Sequence, residues 1–300
     1  MVKDLTYQHL NIHNINLDLS GLRKQLVKDS SIKEPLLLLS LLKVKGIGPS
    51  KIVNWVLNCG CKFDKCLNSL SSLLTNEQLN IFACNIKDVI NEIQYNKSLG
   101  ISIITIFDKN FPSKLYTSTA KCIYLYYKGN INLLNKSSVA IIGSRQPQNK
   151  MIIPGQNITK ELCSKYVIVS GLAIGCDTIA HQTSLNNKGE TIAVLPCPIY
   201  DIIPRINNNL ANEIVNNNGL LVSEYGSKIK QMSKRYIDRD RIQSLLSNFV
   251  VVIDADDNSG TRYAVEKSIH DNKPVYQLNG SRMTIISNNI IDIKDIKLEL

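Results

Sequence analysis

Three hundred residues, 44% apolar and 20% charged, have the composition of a folded chain with one large or two modest cores. A net charge of +10 attracts polyanions, and nucleic acid is the commonest one a soluble protein meets; over-use of Lys, Asn and Ile gives the same balance without a ligand. The longest apolar run, Pro35 to Leu42, is too short to cross a bilayer. The opening residues, with Lys3, Asp4, His9 and Asn11, lack the apolar stretch of a signal peptide.

The expectation is a cytoplasmic chain with free thiols and no membrane contact. Its eight cysteines are scattered. Cys59, Cys61 and Cys66, with Cys84 as nearest fourth ligand, do not have the spacing of a zinc knuckle. Neither a metal nor a cofactor is expected.

Residues 1–30 are polar, Asn-rich and aperiodic, and read as a loosely ordered leader. Helical periodicity then marks a small domain over 31–98. There, Leu36 to Leu42 leads into Lys43-Val44-Lys45-Gly46-Ile47-Gly48-Pro49-Ser50-Lys51, and a second apolar helix continues through Trp55 and Leu57. Gly46 and Gly48 permit backbone angles that other residues resist, and Pro49 suits a first helical turn. This is the outline of a helix-hairpin-helix in a SAM-like domain. Its backbone N–H groups, with Lys51 beside them, can hold a phosphate without reading sequence. A plain helical corner has the same outline.

From residue 99 the period changes. Ser102–Phe107 and Cys122–Tyr127 alternate like strands. Further strands are predicted at Val139–Ile142, Val167–Val169, Ile192–Leu195, Leu220–Val222, Phe249–Ile253 and Val275–Leu278. Helices fall between them at Gly155–Lys165, Asp177–Asn186, Asn209–Asn216, Arg239–Leu246 and Thr261–His270. Apolar strands alternating with helices imply an α/β, Rossmann-like domain over 99–285, with a parallel sheet covered on both faces. A short tail, 286–300, follows.

In such sheets ligands bind beyond the carboxyl ends of the strands. Three loops there are candidates for anion binding. Gly143-Ser144-Arg145 offers close backbone approach, a hydroxyl and a guanidinium fork. Ser170-Gly171-Leu172-Ala173-Ile174-Gly175-Cys176-Asp177 carries two glycines and an Asp placed to cap the next helix. Asn258-Ser259-Gly260-Thr261 opens another helix. Three such loops on one edge suit a polymer better than a single nucleotide pocket. The stretch from Lys228 to Arg241 adds Lys228, Lys230, Lys234, Arg235, Arg239 and Arg241 with Tyr236 among them, the mixture that holds single strands without sequence preference. Asp238 and Asp240 dilute it, and a solvated charged helix is the alternative.

These segments, in this order, resemble the DNA-processing protein A (DprA/Smf) family. The likeness runs through Val139-Ala140-Ile141-Ile142-Gly143-Ser144-Arg145 and Ser170-Gly171-Leu172-Ala173 with Gly175, Asp177, Ala180 and His181. It continues through Thr191–Leu195, Leu221-Val222-Ser223-Glu224, Arg239-Asp240-Arg241-Ile242 and Ser259-Gly260-Thr261, and covers roughly residues 36–280. The resemblance implies a non-catalytic homodimer that binds and protects single-stranded DNA and loads a RecA-type recombinase. It makes Arg145 a principal phosphate contact and puts Arg239 and Arg241 at the same groove. Departures are Pro196-Cys197-Pro198 in place of a glycine-containing turn, Asp240 in place of a neutral Asn, and Arg262, which could restore some attraction to DNA.

Two enzyme readings compete. A Rossmann-like nucleotide hydrolase of the lysine-decarboxylase-like type, or a small-ligand sensor, could use the same rim. The hydrolase needs a Glu three residues after the loop Thr, whereas Glu266 lies five after Thr261, on another helix face. A serine hydrolase built from Ser170, Asp177 and His181 lacks the exposed nucleophile elbow.

Overall fold

A computed structural model of the chain describes residues 32–118, 121–227 and 232–283. The predicted leader and tail, with Lys228 and Lys230, lie outside the described residues. No described helix is long and apolar enough to cross a membrane.

Eight strands form one sheet: β1 (Ser102–Thr105), β2 (Tyr124–Gly129), β3 (Ser138–Ile142), β4 (Val167–Ser170), β5 (Thr191–Leu195), β6 (Leu220–Ser223), β7 (Phe249–Val252) and β8 (Val275–Gln277). Their spatial order is β1-β2-β6-β5-β4-β3-β7-β8. All eight overlap strands read from the sequence, the first two from alternation and the other six from apolar runs. The expectation of a parallel sheet holds for β3 to β8 and needs correction at one edge, where β1 and β2 pair antiparallel. Among the described residues the link between β1 and β2 contains only the five-residue helix Ser113–Thr117, whereas a parallel crossover usually carries a longer helix.

Alternation along β3 shows how both faces are covered. Val139 and Ile141 enter one apolar cluster with Met151, Ile158 and Ala180. Ala140 and Ile142 enter another with Ala264 and Val265. Successive side chains of a strand point to opposite faces, so helices Asn149–Leu162 and Cys176–Asn186 cover one side and Gly260–His270 the other. Helix Met232–Leu246 joins that second side through Ile242 and Leu245. Two of these helices start earlier than expected. The first begins six residues before Gly155 and contains Pro154 in its interior; the other begins seven before Arg239.

Upstream, helices Lys33–Leu42 and Pro49–Asn58 form the hairpin, with Gly46 at φ +82° and Pro49 at the first helical position. Helix Asn76–Ser98 opens with a Thr75/Gln78 capping box. Gln78 Nε2 also donates to the Lys45 carbonyl at 3.0 Å, tying down the hairpin turn. One apolar cluster runs from Leu36, Val53 and Phe82 to Tyr126, Ala193 and Leu221 of the sheet. Tyr126 donates to Glu92 Oε1 at 2.5 Å across this junction.

The chain leaves β3 for β4 on one side and later returns through helix Met232–Leu246 to β7 on the other. The strand order therefore reverses at β3, and a crevice opens beyond the carboxyl ends of β3 and β7.

Beneath it His181 is fully buried, with Nδ1 2.8 Å from Thr191 Oγ1. The Thr191 hydroxyl donates to the Ile168 carbonyl at 2.8 Å, so its remaining capacity is as acceptor and Nδ1 carries the proton. Burial, then the nearby Arg239 charge, push the imidazole down to about 3 from its ordinary 6.5. As pH falls from 6.5 towards 3, the unfolded chain takes up a proton that the native one refuses, so stability is lost over that window. Denaturant unfolding across this pH range should show the loss in the wild type and a flatter profile in His181→Gln; parallel profiles would refute the assignment.

Candidate functional site

The cleft, of about 620 Å³, is lined by Gly143, Ser144 and Arg145 after β3, by Ser259, Gly260 and Thr261 at a helix N-terminus, and by Tyr236, Ile237 and Tyr263 on its walls. Its size is that of small-molecule and nucleotide sites. The loops that frame it are packed backbone to backbone. Ser144 N–H donates to the Asp254 carbonyl at 2.6 Å, and Cys176 N–H donates to the Ser144 carbonyl at 3.0 Å. Gly143 is required because a Cβ there would lie 2.5 Å from Cys176 Sγ and 2.6 Å from the Asp254 oxygen. Gly175 combines φ +81° with an approach to the Ser144 carbonyl that leaves a Cβ 2.4 Å away. Gly260 faces open space, with nothing within 4 Å.

Arg145 is exposed, and its guanidinium carbon stands 4.8 Å from the centroid of the Tyr236 ring. Such stacking orients the charge while leaving its N–H edges available. Across the cleft, Ser259 is the N-cap of helix Gly260–His270 but its side chain makes no capping hydrogen bond. The hydroxyl donates instead to the Asp256 carbonyl at 2.6 Å. The amides of Gly260 and Thr261 thus open that helix at the cleft without a side-chain cap, the arrangement that receives anions. Tyr263, 47% exposed, and Ile237, 42% exposed, supply apolar surface on either side.

The basic stretch does not form the predicted row of surface cations. Arg239 is 7% exposed and lies under the cleft, with Nη1 3.4 Å from Asp177 Oδ2 and Nε 2.8 Å from Asp240 Oδ1. A Cβ on Gly171 would fall 1.0 Å from Arg239 Nη1, so that glycine makes room for the guanidinium. Arg241 pairs with Glu224 at 2.6 Å and Asp238 at 3.7 Å. Arg235 is buried, its guanidinium carbon 5.1 Å from the Tyr225 ring centroid. Arg262 pairs with Asp257 at 2.8 Å and Glu266 at 2.9 Å and does not line the cleft. Lys234 is exposed in the first turn of its helix. Gly46, Gly48 and Lys51 are exposed in the hairpin and are not part of the cleft. A helix that packs on a sheet buries one face whatever its charge, and the arginines on that face are neutralised by carboxylates.

Other expectations also change. The N-cap of helix Cys176–Asn186 is Gly175, not Asp177, whose carboxylate accepts from Ala173 N–H at 3.2 Å and from Arg239. Ser170 Oγ is buried and donates to the Ile141 carbonyl at 2.7 Å. With Asp177 on Arg239 and His181 on Thr191, these three residues form no proton relay. Glu266 accepts from Arg262 Nε outside the cleft.

Asp254 was not singled out from the sequence, yet it organises the rim. Fully buried, its carboxylate accepts from Gln148 N–H at 2.8 Å and from Arg282 Nη2 at 2.9 Å. Burial alone would push this carboxyl up, but those hydrogen bonds outweigh it and hold it below the usual carboxylate range. Arg282 Nη2 also donates to the Gln146 carbonyl at 3.0 Å, bracing the loop that carries Arg145. The acidic run Asp254-Ala255-Asp256-Asp257 directly after a strand was the available signal.

A doubly wound α/β protein with an open cleft at its switch point is thereby defined. The family described as DNA recombination-mediator protein A matches residues 102–290, and the chain belongs to that family. It is 32% identical over 184 residues to DNA processing protein DprA of Streptococcus pneumoniae, covering 61% of this chain and 65% of that protein. It is 33% identical over 186 residues to the Bacillus subtilis DprA, covering 61% and 62%. The chain thus spans less than two thirds of the length of these relatives. The X-ray structure of the S. pneumoniae protein superposes with a TM-score of 0.69 at 25% identity, covering 88% of this chain and 97% of that one. A Helicobacter pylori DNA processing protein A, in a structure concerned with its single-stranded DNA binding mode, gives a TM-score of 0.53 at 28% identity, covering 63% and 84%.

Removing Arg239 leaves two carboxylates in the interior without their partner. Arg239→Ala should lose about 3–5 kcal/mol, and Gly171→Ala, which displaces the same guanidinium, should also destabilise strongly. Urea denaturation measures both; an unchanged midpoint for Arg239→Ala would show that its charge is not buried.

Proposed function

We propose that the chain is a single-stranded-DNA-binding recombination mediator and that the switch-point cleft is where it grips the strand. The reading is carried by one juxtaposition: an exposed guanidinium stacked on a half-buried tyrosine, facing a helix N-terminus without a side-chain cap. Phosphate and base are then both served, by Arg145 and the amides of Gly260 and Thr261 on one hand, and by Tyr236 and Tyr263 on the other. Gly143 and Ser144 shape the Arg145 turn, and Ser259 closes the opposite one. Arg239 and Arg241 act indirectly in this reading, holding the floor and the flank of the cleft. Lys234 adds charge at its entrance, and the Gly46-Gly48-Lys51 hairpin is a second, weaker phosphate contact.

Family membership supports DNA processing and recombination as the setting. We further infer that the protein works in the cytoplasm as a homodimer, protects the strand and delivers it to a RecA-type recombinase, by binding and not by catalysis. The carboxylates nearest the cleft, Asp177 and Asp240, are engaged by Arg239, which favours a binding floor over a hydrolytic one.

Arg145→Ala should weaken binding to oligothymidylate by about 10- to 100-fold, the scale of a charge-assisted contact, and reduce the salt slope by about 1. Its unfolding free energy should stay within about 0.5 kcal/mol of wild type, as for other surface changes. Tyr236→Ala should cost about 1–3 kcal/mol of binding, and Lys51→Ala less than either. Fluorescence anisotropy at several salt concentrations reads all three; normal binding by Arg145→Ala sinks the cleft assignment.

A further inference from the structure

The opposite edge of the sheet carries a charge pattern that the cleft does not use. Lys188 stands just before β5, Lys165 before β4 and Lys136 before β3. Lys114 donates to the Leu246 carbonyl, at the end of the helix leading into β7. Lys273 stands before β8 and donates to the Ser244 and Ser247 carbonyls. In the sheet these strands are consecutive neighbours, in the order β5-β4-β3-β7-β8. Neighbouring strands lie about 4.8 Å apart, so the amino edge carries one lysine per strand along about 20 Å, with Lys136, Lys165 and Lys188 exposed and Lys114 and Lys273 half-buried.

Two depressions run along this edge and share Lys136 and Ser137, which makes them one continuous groove. Glu190 lines it and pairs with Lys136 at 2.7 Å. Lys165 and Lys188 are exposed and make no ion pair among the described residues. At the far end Lys114 and Lys273 crowd each other. Burial, then the neighbouring Lys114, push the Lys273 ammonium down to about 8, with Asp271 pulling the other way. An anion arriving there would relieve that crowding.

We propose that this lysine row is a second polyanion track that takes a separate nucleic-acid strand. The two-strand consequence rests on the cleft reading above. The cleft lies at the carboxyl ends of the same strands, about 13–17 Å away for four or five residues at about 3.3 Å each, so each edge serves its own strand. The row contains lysines and no arginine. Lysine binds phosphate as a point charge, whereas oriented carboxylates are matched by the planar arginine fork. A lysine at the start of each neighbouring strand suits a backbone that bears one charge at every repeat. A phosphodiester strand therefore fits better than an acidic peptide.

The full-length chain, with its clefts first saturated by surface-immobilised oligothymidylate so that neither cleft of a homodimer is left to take another strand, is tested for capture of a second, fluorescent oligothymidylate. Lys165→Glu/Lys188→Glu should reduce capture of the second strand roughly tenfold or more and lower its salt slope by about 2. The first strand should still be bound. Lys62→Glu/Lys87→Glu, exposed positions off the row, change the net charge equally and should leave both steps intact. Bridging that survives in Lys165→Glu/Lys188→Glu, or that falls equally in the control variant, overturns the proposal. Poly-glutamate displacing the second strand as well as oligothymidylate does would assign the row to acidic peptides and also overturn it. If Arg145→Ala binds normally while the row variant loses all binding, the row stands and the cleft reading fails.

Discussion

Everything at the cleft depends on how closely three loops approach one another. The turn after β3 donates from Ser144 N–H to the carbonyl of Asp254, beyond β7, and accepts at the Ser144 carbonyl from Cys176, beyond β4. Two backbone hydrogen bonds thus tie the ends of three neighbouring strands into one ledge. The approach works only because Gly143 and Gly175 have no Cβ to collide with the facing loop. Once the ledge exists, Arg145 projects from it at a fixed place, above the Tyr236 ring. A longer or looser connection would leave the same guanidinium searching solvent, with the entropy of ordering it charged against every contact it made.

Charge near this ledge is divided by depth. At the surface stands Arg145; beneath it, Arg239 is held between Asp177 and Asp240. Beside them Arg241 is held by Glu224 and Asp238. Buried guanidinium groups need such company, since an unpaired ion in the interior is costly. The arginines of the Arg-Asp-Arg run therefore specify the packing of their helix against the sheet, and through it the position of Tyr236. Asp240, which from the sequence looked like a weakening of attraction for DNA, serves inside as a partner of Arg239.

This division explains which features were legible in the sequence. Strands such as Val139–Ile142 and Thr191–Leu195 are short, continuous apolar runs, because both faces of the sheet are covered; their pattern survives any change of neighbour. Glycine loops after β3 and β4 could be read because backbone approach demands one residue type. Burial of a charge could not. Arg239 and Lys234 look alike in a basic stretch, and only the helix phase against the sheet decides that the first is internal and the second exposed. The start of helix Asn149–Leu162 was read too late, at Gly155, because Pro154 sits in the helix interior, where proline ordinarily breaks a helix. Asp254 escaped notice because its partners, Gln148 and Arg282, are remote in the chain. Such pairs follow from topology, and no local periodicity announces them.

Topology also decides what a net charge of +10 can do. A parallel sheet gathers all its strand beginnings at one edge and all its strand ends at the other, so residues scattered over the chain become neighbours by their position relative to a strand. Ends of strands collect glycines, hydroxyls and helix N-termini, whose charge is partial and directional and whose use is to orient a ligand. Beginnings of strands follow the ends of helices, where carbonyl groups accumulate and cations are favoured. Lys114 and Lys273 on the carbonyls of Leu246, Ser244 and Ser247 are that preference made visible. The chain's basic character is thus sorted by the sheet into an edge that orients and an edge that attracts, and the direction in which the strands run is what keeps the two apart.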